Sequence, residues 1–216
     1  TTQSISNLIV GGYSVVVTDA NGCTTTATVT ITQPTQLVAT ASQNVAICAG
    51  LSTQISGLGT GGTSPFSYVW QPGGNGQNLT VTPTTTTNYV LVVTDANGCT
   101  SSDTTIVTVN ALPLFTITAD DSSGCVTHCV NFTPTLTTGT FSWTYGDGGI
   151  GNTTQPNHCY TTVGAFTVGL TVTDGNGCST TISVSQMINV YPLPVADFGM
   201  TPEGSSILEP TVCFSD

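Results

Sequence analysis

The residues of this 216-residue chain best suited to metal, redox or base chemistry are two histidines and eight cysteines. His128 and His158 are the side chains that change charge near neutral pH, so a general base would have to be one of them. Cys125-x-x-His128-Cys129 and His158-Cys159 bring sulfur and nitrogen donors close in sequence, a spacing usable by Zn2+. An oxidising compartment would turn the same sulfurs into disulfides, and that use is favoured over zinc. Aspartates supply the other candidate chemistry. Asp19, Asp95, Asp174, the pair Asp120-Asp121, and Asp197 fall near turns and joints, where hard carboxylate oxygens would suit Ca2+. Calcium is the one cofactor suggested; turn chemistry and solubility are the competing use of the same carboxylates, and no 12-residue EF-hand loop is present.

Catalysis lacks its parts. The chain holds eleven acidic residues and neither Lys nor Arg, for a formal net charge of −11. Schiff-base and P-loop chemistry are therefore excluded, as is an Arg clamp on carboxylate or phosphate. No Gly-x-Ser-x-Gly elbow occurs, and Asp147 in Tyr-Gly-Asp-Gly reads as an Asx-type turn. No catalytic residue is assigned, and the protein is expected not to be an enzyme. A chain without a cation cannot neutralise phosphates, so nucleic acid is excluded as a partner. Membrane insertion is not expected either, because no apolar run approaches about 20 residues.

Positioning falls to β-structure. Charged residues are only 5% of the chain, and 45 residues are threonine, a β-branched type that packs well on a pleated sheet. One phrase occurs three times: Tyr13-Ser-Val-Val-Val-Thr-Asp-Ala-Asn-Gly-Cys23, Tyr89-Val-Leu-Val-Val-Thr-Asp-Ala-Asn-Gly-Cys99, and Phe166 through Thr173-Asp-Gly-Asn-Gly-Cys178. Phe166, Val168, Leu170 and Val172 alternate with Thr and Gly, the period of a half-buried strand. Asn-Gly tolerates φ > 0 and turns the chain into a second, Thr-rich strand. Each repeat thus ends in a hairpin, and Pro34, Pro113 and Pro192 mark the joints behind them.

This spacing gives four segments. Residues 35–112 and 113–192 each have the length of a complete module of about seven strands. Residues 1–34 carry only closing strands, and 193–216 only opening strands, so both ends read as parts of modules and the chain as a segment of something longer. Neither end reaches the roughly 40 residues below which an isolated core rarely closes. The expected architecture is all-β, with tandem antiparallel β-sandwich modules in a semi-rigid rod. The first residues, Thr-Thr-Gln-Ser-Ile, lack the basic start of a signal peptide, consistent with a mature or internal piece.

Trp143-Thr-Tyr-Gly-Asp-Gly148, Gln155-Pro-Asn-His-Cys-Tyr160, Gly164-Ala-Phe-Thr-Val168 and Val172-Thr-Asp form an ordered set across residues 113–192. That set resembles the PKD domain, an immunoglobulin-like β-sandwich, with Tyr145 where the family has Phe and with Cys129 and Cys159 added. Residues 193–216 echo its opening strands. Ile5-Ser-Asn-Leu8 and Gly12-Tyr-Ser-Val15 resemble the second half of the SprB-type repeat of gliding-motility adhesins. Ile47-Cys-Ala-Gly50, Tyr68-Val-Trp70 and Pro83 through Tyr89 resemble the Ig-like module that accompanies it. Arrays of this kind belong to very large surface proteins of gliding bacteria exported by type IX secretion.

Those resemblances imply disulfides. Within the Ig-like module Cys48 is expected to pair with Cys99, stapling one pole. Cys125 and Cys178 occupy the equivalent places in the PKD-like module; Cys129 and Cys159, the cysteines remaining there, are expected to form a second bridge. A Cys125–Cys129 bond would close a very short loop and is disfavoured. Cys23 and Cys213 are left over, for partners outside this segment or for each other across a junction between segments. Asp103-Thr104-Thr105 fits the short O-glycosylation pattern of such bacteria, with Thr104 as acceptor, and Asn78, Asn131 and Asn152 begin N-x-Thr triplets.

The function implied is structural and adhesive, at the cell surface or outside the cell. Expected partners are neighbouring copies or segments of the same protein, with surface glycans as a further ligand class. Unfinished ends that complete each other by strand addition would give a filament. The alternative is a set of carbohydrate-binding accessory modules on a secreted hydrolase.

Overall fold

The computed structural model describes residues 4–196 and the strand backbones at 199–201 and 213–215. These residues form strands and no helix, in two units divided between Asn110 and Ala111.

The first unit opens with a hairpin of β1 (Gly11–Thr18) and β2 (Thr24–Ile31), paired residue for residue from Gly11 opposite Ile31 to Thr18 opposite Thr24. A sandwich follows, built from β3 (Val38–Ala41), β4 (Val45–Cys48), β5 (Thr53–Thr60), β6 (Ser67–Gln71), β7 (Asn78–Val81), β8 (Thr87–Thr94) and β9 (Thr100–Asn110). One sheet has the order β3-β5-β7 and the other β4-β9-β8-β6. Alternation decides the faces: in β8, Tyr89, Leu91 and Val93 point inward and are at most 5% exposed, while Val90 lies outside. Leu37, Ala39, Ile55 and Val81 meet them from the facing sheet, with Trp70 and Val107 completing the core.

The opening strand changes sheets partway. β3 pairs antiparallel with β5, but β4 crosses over and runs parallel to β9, with Val45 opposite Val107 and Cys48 opposite Asn110. Side chains secure the crossing. Oδ1 of Asn44 accepts from the Ile106 amide at 2.8 Å, and the Thr105 hydroxyl donates to the Gln43 carbonyl at 3.2 Å. These bonds occupy backbone groups that the break in pairing would strand.

The second unit repeats the plan with β10 (Ile117–Ala119), β11 (Ser123–Cys125), β12 (His128–Pro134), β13 (Thr140–Thr144), β14 (Ile150–Gly151), β15 (Asn157–Tyr160), β16 (Gly164–Thr173) and β17 (Ser179–Tyr191). Its sheets have the orders β10-β12-β15 and β11-β17-β16-β13-β14. Again the opening strand switches: β10 pairs with β12, and β11 runs parallel to β17 with Cys125 opposite Tyr191. Val130, Phe132 and Tyr160 face Trp143, Val168, Leu170 and Ile188 across the core, all of them at most 1% exposed. Burial of each large side chain contributes about 1.5–3 kcal/mol. Beyond it, β18 (Gly199–Thr201) pairs antiparallel with β19 (Cys213–Ser215).

Candidate functional site

The three Asp-x-Asn-Gly-Cys turns share one hydrogen-bond pattern. Oδ1 of Asp19 accepts from the amides of Asn21 and Cys23, Oδ1 of Asp95 from those of Asn97 and Cys99, and Oδ1 of Asp174 from those of Asn176 and Cys178, all at 2.8–2.9 Å. An Asp side chain is short enough to cap its own turn, which explains its place before Asn-Gly. Asp95 does more: Oδ2 accepts from the Thr63 amide at 2.9 Å, tying the hairpin to the β5–β6 loop, and the residue is buried. Burial pushes its carboxyl up, but the bonds from Thr63, Cys99 and Asn97 together hold it below the ordinary aspartate value.

The other Asp residues bond locally as well. Asp120 accepts from the amide and side chain of Asn131, bonds that lower its pKa, and Asp121 accepts from the Ser123 amide. Asp197 lies outside the described residues. Among the described residues no three His, Cys, Asp or Glu side chains gather as a metal site. Two of the three sulfurs of the pattern usable by zinc, Cys129 and Cys159, are joined to each other, across a directly opposed pair of β12 and β15.

A polar cluster crowns the second core. His158 on β15 places Nε2 at 2.7 Å from Oδ2 of Asp147, and its ring lies flat on Tyr145, with centroids 3.9 Å apart and planes 9° from parallel. Tyr160 meets the same imidazole edge-on and donates its hydroxyl to the Tyr145 carbonyl at 3.1 Å. The Gly149 amide donates to Oδ1 of Asp147 at 2.9 Å, the expected Asx turn. Burial pushes both tyrosines up, and the Asp147 charge adds to the effect. Glycine at 149 is required by closeness, since a Cβ there would stand 2.6 Å from the imidazole. The sequence offers both residues as candidates, and their bond joins the Gly-Asp-Gly turn to β15.

The expected Cys48–Cys99 and Cys125–Cys178 bonds are corrected by the structure, in which Cys99 and Cys125 are free, exposed thiols. Parallel pairing is the reason. Cys48 stands opposite Asn110, at the far end of β9, while Cys99 precedes its first residue, roughly 35 Å away at 3.3 Å per residue. Cys125 stands opposite Tyr191, roughly 40 Å along β17 from Cys178. A disulfide spans at most about 7 Å between Cα atoms. Each supposed pair occupies opposite poles. Cys23 is free and exposed, and Cys213 begins β19, its side chain outside the described residues. Thr104 is exposed, with its amide donating to Asp103.

The aromatic rings are mostly enclosed. Trp70 and Trp143 are 2% and 0% exposed, and each indole N–H donates to a backbone carbonyl, of Gly76 and Thr153 respectively. No helix of the described residues is long and apolar enough to cross a membrane.

Residues 110–190 match the PKD domain family. That stretch contains the Asp147–His158 cluster and the sheet-switching opening strand. No curated protein matches the chain. Among solved structures, similar chains include Sidekick-1 immunoglobulin domains 1–4, at 15% identity and a TM-score of 0.39 over 84% of this chain and 58% of that one. A structure described as concerning host cell surface retention of a 1.5-MDa bacterial ice-binding adhesin is similar at 15% identity and a TM-score of 0.39, over 73% and 65%. The chain therefore spans less than two thirds of the length of either.

Proposed function

We propose that this chain is a structural and adhesive segment of an extracellular or cell-surface protein, in which Ig-like and PKD-like sandwiches act as spacers and display surfaces. One observation carries the reading: apart from His128 and the exposed thiols of Cys23, Cys99 and Cys125, the described groups capable of chemistry are spent on the fold. Carboxylates cap turns, His158 is held by Asp147 and Tyr145, Cys129 and Cys159 bond each other, and both tryptophans lie in cores. The cystine favours an oxidising, extracytoplasmic setting. Without Lys or Arg the chain offers trypsin no cleavage site, an advantage outside the cell.

The specific assignment within this class is an array of the gliding-adhesin type, supported by the SprB-like phrases in residues 1–34. Antibody labelling of intact source cells tests the reading. Surface labelling that survives trypsin supports it, and label seen only after lysis overturns it. Retention of the purified chain on insoluble chitin or cellulose would move the reading to carbohydrate-binding modules. Burial of Trp70 and Trp143 weighs against that outcome, since sugars stack on exposed rings.

A further inference from the structure

The Cys129–Cys159 cystine lies on the outer face of the sheet β10-β12-β15. Alternation puts it there. Val130 and Phe132 of β12 and Tyr160 of β15 turn into the core, so Cys129 and Cys159 turn out, and both residues are exposed. The next pair on that face, Asn131 opposite Asn157, is polar. The Asn157 side chain donates to Oδ1 of Asn131 at 2.9 Å, and the Asn131 side chain donates to Oδ2 of Asp120 at 2.6 Å. A cystine in this setting is open to a dissolved thiolate. Exposed cystines are the readily reduced ones, whereas structural cystines shielded by a core resist reduction.

The bond secures a strand that has little else to hold its backbone. Among the described residues β15 pairs with β12 alone, over four residues, whereas β16 is flanked by both β13 and β17. Elements with few backbone pairs open at lower free energy than those inside a sheet. Yet β15 carries two members of the polar cluster. His158 is bonded to Asp147 and stacked on Tyr145, and the Tyr160 hydroxyl donates to the Tyr145 carbonyl.

We infer that the Cys129–Cys159 cystine is a redox clasp, reducible by a dithiol in the folded chain, whose opening loosens β15 and the His158 contacts while the β16–β17 pairing stays intact. The step is a thiol–disulfide exchange. A thiolate of the dithiol attacks one sulfur of the cystine, and the S–S electron pair departs on the other sulfur, which takes up a proton. The second thiol of the reagent then attacks its own sulfur in the mixed disulfide and expels the remaining cysteine. Two electrons pass to the protein, the two protons of the dithiol end on the cysteines, and the dithiol leaves as its disulfide. This inference goes beyond the structural reading above and does not rest on it.

The test uses the full chain, with Cys23, Cys99 and Cys125 first blocked by iodoacetamide and millimolar dithiothreitol then added without denaturant. A second, heavier alkylating agent should be found on Cys129 and Cys159 by peptide mapping. Hydrogen exchange of the amides of residues 157–160 should rise at least about tenfold over the untreated chain, with β16 and β17 unchanged. The double variant Cys129→Ser/Cys159→Ser should show the raised exchange from the start and no further rise with dithiothreitol. A cystine that yields to dithiothreitol only in urea overturns the inference. Reduction that leaves exchange at 157–160 unchanged, or raises it equally across β16 and β17, overturns it as well. Surface labelling of source cells reads the extracellular assignment separately, so either can fail alone.

Discussion

Nε2 of His158 lies 2.7 Å from Oδ2 of Asp147 while the imidazole rests on the ring of Tyr145. Burial pushes the Asp147 carboxyl up, but the bonds from His158 and the Gly149 amide, with the imidazole's charge, bring it below the ordinary value. A carboxyl of depressed pKa binds fewer protons folded than unfolded, so its stabilisation is complete above about pH 4 and is lost as pH falls through the folded value. Urea midpoints of the second unit should therefore decline below about pH 4, read from Trp143 fluorescence in a Trp70→Phe background. Asp147→Asn should be less stable at pH 7 and show a shallower acid decline.

Asp95 and Asp19 cap equivalent turns but differ in reach, because only Asp95 also holds the Thr63 amide. Asp95→Ala strands that amide in a buried setting, whereas Asp19→Ala exposes its amides to water. Thermal unfolding followed by Trp70 should shift downward for Asp95→Ala and stay unchanged for Asp19→Ala.

The pole-to-pole separation of Cys48 from Cys99 makes thiol chemistry selective. Cys23, Cys99 and Cys125 should alkylate with iodoacetamide in the native chain without reductant, while Cys129 and Cys159 should label only after reduction. Peptide mapping should recover a 129–159 cystine and neither a 48–99 nor a 125–178 one.

Much of this arrangement was legible in the residues. Alternation around Phe166 to Val172, Asn-Gly at the turns and proline at the joints follow from local backbone chemistry, and the strands lie where those signals put them. The Cys129–Cys159 bond likewise forms. Parallel pairing of β4 with β9 and of β11 with β17 left no local trace, because a strand's own pattern does not state its partner's direction. The wrong cysteine pairings came from that single gap. The Asp147–His158 contact was missed for a related reason, being made by residues eleven apart on different elements.

Gly61 marks where the β5–β6 loop passes the incoming chain. Its φ of +71° is left-handed, and a Cβ there would collide with the carbonyl oxygen of Gln36. Conformation alone costs a non-glycine residue about 1–2 kcal/mol, and the collision adds to it. Gly61→Ala should lose at least that much in urea denaturation of the first unit. Gly98→Ala, also at positive φ but with open space around it, should lose less.

Among the described residues β15 has only β12 as a sheet neighbour, over four residue pairs, yet it carries both His158 and the fully buried Tyr160. The Cys129–Cys159 bond ties this short edge strand to the core, closing a separation of 30 residues. On chain entropy, a loop of that size is worth about 3–4 kcal/mol. The double variant Cys129→Ser/Cys159→Ser should lose about that amount in urea denaturation followed by Trp143. Amides of residues 157–160 should also gain the largest increase in hydrogen exchange, because the loosened strand has few other bonds to hold it. A loss spread evenly over β16 and β17 instead would place the bond's contribution in the whole sandwich and not in the anchoring of β15.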